Sequence, residues 1–115
     1  MSVVIWHNPR CTKSRETLKY LEDHGHKPEV REYLVDVPSV AELKTVLKQL
    51  GFSSAREWIR TNEADYKTLN LKGEDKDDKL LAAMAAHPKL IERPVVIANG
   101  KAALGRPPEN VLGIL

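Results

Sequence analysis

Val3-Val4-Ile5-Trp6-His7-Asn8-Pro9-Arg10-Cys11-Thr12-Lys13-Ser14-Arg15 runs from an apolar, β-branched segment through a proline break into polar helix-forming residues. The segment Val3 to Trp6 reads as a short buried strand, and Pro9 ends it. From Thr12 to about His24 the composition turns helical, with Leu18 and Leu21 on one face and Gly25 as the stop. Glu29 to Leu34 then alternates apolar and charged residues, which suits a second strand. A crossover helix between two strands favours a parallel pair.

Farther along, Pro38-Ser39-Val40-Ala41-Glu42 carries a capping box ahead of Leu43, Val46, Leu47 and Leu50, whose spacing marks one helical face ending at Gly51. A second box, Ser54-Ala55-Arg56-Glu57, predicts a shorter helix through Trp58 and Ile59 to Arg60. Residues 61–76 are polar and irregular, with room for one helical turn near Tyr66. Asp77 and Asp78 start another helix, with Leu80, Leu81, Met84 and His87 facing inward and Pro88 just past its end. Pro94 to Ala98 is a strand, and Asn99-Gly100 turns it into a hairpin with Lys101 to Leu104. Pro107 to Leu115 predicts a terminal helix with proline at its start.

The resulting order is βαβ, a helical middle, a β-hairpin and a helix. This is an α/β chain on the thioredoxin-like plan, with a helical insertion at about residues 39–88 within a single domain spanning residues 1–115.

The 115 residues carry 18 basic and 16 acidic side chains for a net charge of +2, mixed along the chain, so no polyelectrolyte surface argues for nucleic acid or membrane. The single cysteine excludes an internal disulfide framework and a four-cysteine metal site. No signal-peptide pattern and no membrane-length apolar run is read, so the reducing cytoplasm is the expected location. His24, His26 and His87 lack cysteine or carboxylate neighbours at metal-ligand spacing, and no metal is expected. Trp6 and Trp58 read as packing residues, and Glu74 to Asp78 as a solvated loop and helix start.

Cys11 stands between a strand and a helix, where unpaired N–H groups and the positive end of the helix dipole favour a thiolate. An isolated cytosolic cysteine is most often a small buried hydrophobe. Here Arg10, Lys13 and Arg15 crowd the same turn, and burying three cations together is costly, so a working thiol is the better reading. Ser14 stands where a C-x-x-C motif places its second cysteine, and its hydroxyl is expected to donate to the Cys11 sulfur. A tyrosine-phosphatase-type loop needs five residues between cysteine and arginine, whereas three separate Cys11 from Arg15. A dithiol mechanism lacks its resolving cysteine. What remains is a single nucleophile whose covalent intermediate is resolved by an external thiol. Arg60, Arg93 and Arg106 could serve an oxyanion; Arg93 and Arg106 each precede a proline, which restricts their backbone. Spacing alone leaves each of them equally readable as an ordinary solvated charge or helix-end partner.

Four separated motifs, H-N-P-R-C-T-K-S-R, R-E-W-I-R-T-N-E-A-D-Y, H-P-K-L-I-E-R-P-V-V-I and L-G-R-P-P-E, resemble in order the glutaredoxin-linked arsenate reductases of the ArsC type. The resemblance spans nearly the whole chain and implies the same thioredoxin-like fold. It implies that Cys11 attacks arsenate, that Arg60, Arg93 and Arg106 bind the oxyanion, and that His7 and Ser14 assist the thiolate. It further implies glutathione as co-substrate, glutaredoxin as acceptor of the mixed disulfide, arsenite as product and no bound cofactor. Pro94 is expected to be cis and close to Cys11. Two other readings stand beside it: a regulator of the related Spx type that binds RNA polymerase, and a glutathione-dependent reductase of another substrate.

Overall fold

A computed structural model of the protein describes residues 2–115 and resolves the chain into two compact units. One comprises the described residues up to Asp36 together with Arg93 to Leu115; the other comprises Val37 to Glu92.

The first unit is built on a four-stranded sheet. Strand β1 is Val4–Trp6, helix α1 is Thr12–Asp23, β2 is Glu29–Arg31, β3 is Val95–Ala98 and β4 is Lys101–Leu104. Their order is β2-β1-β3-β4. The β1–α1–β2 crossover gives the expected parallel pair, with Ile5 opposite Val30, while β3 runs antiparallel to β1 with Val96 opposite Ile5. Asn99 and Gly100 join β3 to β4 with φ of 56° and 73°. Positive φ at both central residues is what a two-residue hairpin turn with the native strand twist requires. This is the thioredoxin-like plan read from the sequence, and its core is Ile5, Leu21, Val96 and Val111, all fully buried. Each such side chain contributes about 1.5–3 kcal/mol by leaving water.

Two elements of this unit are shorter or tighter than their patterns suggest. The second strand ends at Arg31 rather than Leu34, because the Glu32 carbonyl accepts the N–H groups of Val35 (3.0 Å) and Asp36 (2.9 Å) and so turns the chain. Tyr33 is buried within that turn. The C-terminal segment Pro108–Ile114 is a 3₁₀ helix rather than an α-helix, with Pro107 at its N-cap.

In the second unit, α2 (Val40–Leu50) starts on the full capping box: Ser39 Oγ accepts the Glu42 N–H and the Glu42 carboxylate accepts the Ser39 N–H, both at 3.1 Å. Gly51 closes the helix at φ 76°. The Ser54–Glu57 box opens only one 3₁₀ turn, Ala55–Glu57. The helix stops there because the next residues enter an extended pairing, Ile59 opposite Ile91. Arg60 therefore follows a bridge residue, not a helix end, and its N–H donates to the Leu90 carbonyl at 2.8 Å.

Helix α3 (Ala64–Thr68) supplies the turn near Tyr66, and α4 (Asp77–Ala86) buries Leu80, Leu81 and Met84. His87 caps α4 half-exposed, 3.6 Å from the Asp65 carboxylate, and so does not face inward. Arg56 orders the polar segment after α3: its guanidinium donates to the carbonyls of Leu71, Lys72 and Glu74 and to the Tyr66 hydroxyl. Among the described residues no helix is long and apolar enough to cross a membrane.

Candidate active site

The Cys11 turn is fixed by its own backbone. The Cys11 N–H donates to the Asn8 carbonyl (3.0 Å), the Arg10 N–H to the Asn8 side-chain oxygen (3.0 Å), and the Arg15 N–H to the Cys11 carbonyl (3.0 Å). Cys11 thereby becomes the N-cap of α1, with extended backbone and a partly exposed side chain. Its sulfur closes no capping hydrogen bond of good geometry. The N–H groups of Ser14 and Lys13 act on it as aimed dipoles at the helix end, where a negative charge is favoured.

Burial pushes the Cys11 thiol up, but the Ser14 N–H, the Arg93 guanidinium and the Lys13 N–H together outweigh it and hold the thiol below its ordinary value. A lowered thiol pKa means more of the nucleophilic thiolate at neutral pH. Arg106 reaches the same sulfur, with Nη2 at 3.8 Å. The two arginines are linked, since Arg106 Nε donates to the Arg93 carbonyl at 2.7 Å. Arg93 and Arg106 both precede prolines across cis peptide bonds, Arg93–Pro94 and Arg106–Pro107.

Two cations of the turn itself, Arg15 and Lys13, are engaged elsewhere. Arg15 donates to the Pro9 carbonyl (2.9 Å) and the Thr12 hydroxyl (3.3 Å), and Lys13 lies 3.8 Å from Glu16. Arg15 thus fixes the turn, and Lys13 pairs along its own helix. The guanidinium that acts on the sulfur's titration comes from Arg93, whose proximity no local spacing could disclose.

Ser14 and His7 also take positions different from a direct contact with sulfur. Ser14 is fully buried; its Oγ accepts the Asn8 N–H at 3.0 Å and is hydrogen-bonded to His7 Nδ1 at 2.6 Å. It is the Ser14 backbone N–H, not the hydroxyl, that favours the thiolate. His7 is buried at the end of β1, where its N–H donates to the Arg31 carbonyl at 2.8 Å. Burial, aided by Arg15 and opposed by Glu32, holds the imidazole below its ordinary value, so it is neutral at neutral pH. The His7–Ser14 pair therefore braces the turn from inside.

Gly105, which the sequence reading passed over, sets the approach of Arg106. A Cβ there would collide with the Thr17 side chain and with Pro94 Cγ at 2.9 Å, while the Thr17 hydroxyl donates to the Gly105 carbonyl at 3.0 Å. The clue available in the sequence was a glycine directly before an arginine and two prolines.

Arg60 lies in the other unit. Its side chain is one-fifth exposed, with Glu63 at 3.4 Å from Nε and Glu92 at 3.6 Å from Nη1. Among the described residues no group of three or more His, Cys, Asp and Glu side chains is placed to hold a metal ion.

Comparison with known proteins places these features in a family. The family model described as the ArsC family matches residues 6–114. An arsenate reductase of Haemophilus influenzae is 49% identical over 116 residues, covering all of both chains. The uncharacterized protein YfgD of Escherichia coli is 53% identical over 114 residues, covering 98% of this chain and 96% of the relative. A solved structure of an arsenate reductase from Vibrio cholerae superimposes with a TM-score of 0.97 at 58% identity, over 100% of this chain and 98% of its own.

Proposed function

The chain belongs to the ArsC family, and from that premise we propose that it is an arsenate reductase with Cys11 as nucleophile and Arg60, Arg93 and Arg106 as its oxyanion-binding residues. The observation that carries this reading is the Cys11 sulfur at the start of α1, its thiol lowered by backbone N–H groups and Arg93, with Arg106 Nη2 3.8 Å away. An anionic nucleophile beside fixed guanidinium groups suits attack on an oxyanion, whose charge would otherwise repel a thiolate. Preorganised cations stabilise the developing charge without reorganising at the moment of reaction.

The chemistry follows from a thiol without a partner in the chain. The Cys11 thiolate displaces one oxygen of arsenate as water, forming an S–As bond with arsenic still pentavalent. Glutathione displaces a second oxygen in the same way, so that arsenic carries two sulfurs. A glutaredoxin thiolate then attacks the glutathione sulfur. The electron pair of that S–As bond stays on arsenic, which becomes trivalent, and the mixed disulfide leaves on glutaredoxin. Water finally releases arsenite and restores the Cys11 thiol. Arsenic gains two electrons and two external thiols lose them. The chain itself needs no bound cofactor, and the reducing cytoplasm supplies both thiols.

Within this scheme Cys11 and the arginines touch the reacting atoms, while His7 and Ser14 keep the turn in place. Arsenate-dependent oxidation of reduced nicotinamide, coupled through glutathione reductase, tests the scheme. Turnover is expected with glutathione and glutaredoxin both present, and its loss on omitting either one. Absence of turnover above the coupling enzymes rejects the arsenate reading; turnover that persists without glutaredoxin rejects its role as acceptor.

A further inference from the structure

Arg60 Nε and Nη1 are buried and make no hydrogen bond, yet each faces a carboxylate, Glu63 at 3.4 Å and Glu92 at 3.6 Å. These distances exceed the roughly 2.7–2.9 Å of a charge-assisted hydrogen bond. The two carboxylates therefore hold the guanidinium by charge without saturating its donors. Nη2 makes no hydrogen bond among the described residues and, unlike Nε and Nη1, is not shut off from solvent.

Backbone geometry explains how both carboxylates reach Arg60. Glu63 occupies the N-cap of α3 but makes no capping bond, so its carboxylate is left for the arginine three residues earlier. Glu92 arrives through the antiparallel pairing centred on Ile59 and Ile91, which the Arg60 N–H to Leu90 carbonyl bond (2.8 Å) and the Glu92 N–H to Trp58 carbonyl bond (3.3 Å) extend on either side. In such a pairing residues 60 and 92 are diagonal neighbours on one face, within reach of long side chains. Trp58 Nε1 further fixes the Glu92 backbone by donating to its carbonyl at 3.2 Å.

We propose that Glu63 and Glu92 are positioning residues for Arg60, gripping Nε and Nη1 from two sides so that Nη2 is presented, already oriented, to a tetrahedral oxyanion. This rests on the reading of Arg60 as an oxyanion-binding residue. An arginine that swings freely must be ordered when the anion binds, whereas one held in place spends that entropy on folding.

Two measurements on the full chain test this. The Arg60 Nε–H resonance, identified by its loss in Arg60→Ala, is expected to exchange slowly with water in the wild type and fast in Glu63→Ala and Glu92→Ala. In the coupled assay the paired Glu63→Ala, Glu92→Ala variant is expected to lose on the order of ten- to a hundredfold in kcat/KM for arsenate, as displaced binding groups do. The same pair of changes made in Arg60→Ala should cost nothing further. Unchanged Nε–H exchange overturns the proposal, and so does a loss that adds fully to that of Arg60→Ala, which marks a merely structural role. Should the alanine variants fail to fold, Glu63→Gln and Glu92→Gln carry the same comparisons. If the wild type turns over no arsenate, the functional reading falls while titration with arsenate still decides the positioning. A shift of the Arg60 Nε–H signal that both variants lose upholds it; no shift overturns it.

Discussion

Arg106 directs Nη2 at Cys11 Sγ from 3.8 Å across 95 residues of sequence, and its Nε is tied at 2.7 Å to the carbonyl of Arg93, whose own guanidinium lowers the same thiol. Cys11 and the two arginines come together because β1 pairs antiparallel with β3 and β3 with β4, so the segments after β1, before β3 and after β4 meet at one end of the sheet.

Arg93→Ala removes a hydrogen bond and a positive charge that favour the Cys11 thiolate. The thiol is lowered in the wild type, so losing a lowering cause moves it up, toward its ordinary value. The midpoint of the iodoacetamide alkylation rate against pH should rise in Arg93→Ala, and alkylation at pH 7 should slow. A midpoint equal to that of the wild type contradicts the role given to Arg93.

Ser14→Ala separates the hydroxyl from the backbone N–H. It removes the fully buried partner of His7 Nδ1 and of the Asn8 N–H, leaving polar groups unsatisfied at a cost of about 1–3 kcal/mol. Chemical denaturation should report that loss, while the Cys11 alkylation midpoint stays near that of the wild type, because the Ser14 N–H remains. A large rise of the midpoint without loss of stability would instead place the hydroxyl on the sulfur.

Gly105→Ala forces a methyl group against the Thr17 side chain and Pro94. Thr17 is fully buried, so neither neighbour has room to yield, and overpacking of this kind costs about 1–3 kcal/mol. The thermal unfolding midpoint should fall, with kcat/KM falling as Arg106 is displaced from the sulfur. Full retention of stability would contradict the close packing of Gly105 against Thr17 and Pro94.

The sequence disclosed the framework wherever a local signal sufficed. The βα turn at Cys11, the Ser39–Glu42 box, the Asn99–Gly100 hairpin and the glycine stop at Gly51 each act within a few residues, and each stands as read. Ser54–Glu57 presents the same local signal, yet tertiary pairing of Ile59 with Ile91 ends that helix after one turn. Side-chain partners were least legible, since they depend on distance in space. Nothing in S-x-x-E or R-T-N-E indicates that Asp77 would accept from the Ser54 hydroxyl at 2.8 Å, or that Glu63 would forgo its cap for Arg60. The same holds at the site, where Ser14 turned to His7, Arg15 to the Pro9 carbonyl and Lys13 to Glu16.

Arsenite formation by the wild type and by Cys11→Ser, measured side by side with glutathione and glutaredoxin present, tests most directly whether the lone thiol is the nucleophile. The hydroxyl of serine keeps the shape of the turn but is protonated and weakly nucleophilic at neutral pH. Arsenite should accumulate with the wild type and stay at the level of the enzyme-free control with Cys11→Ser. Equal arsenite from both proteins would contradict the assignment of Cys11.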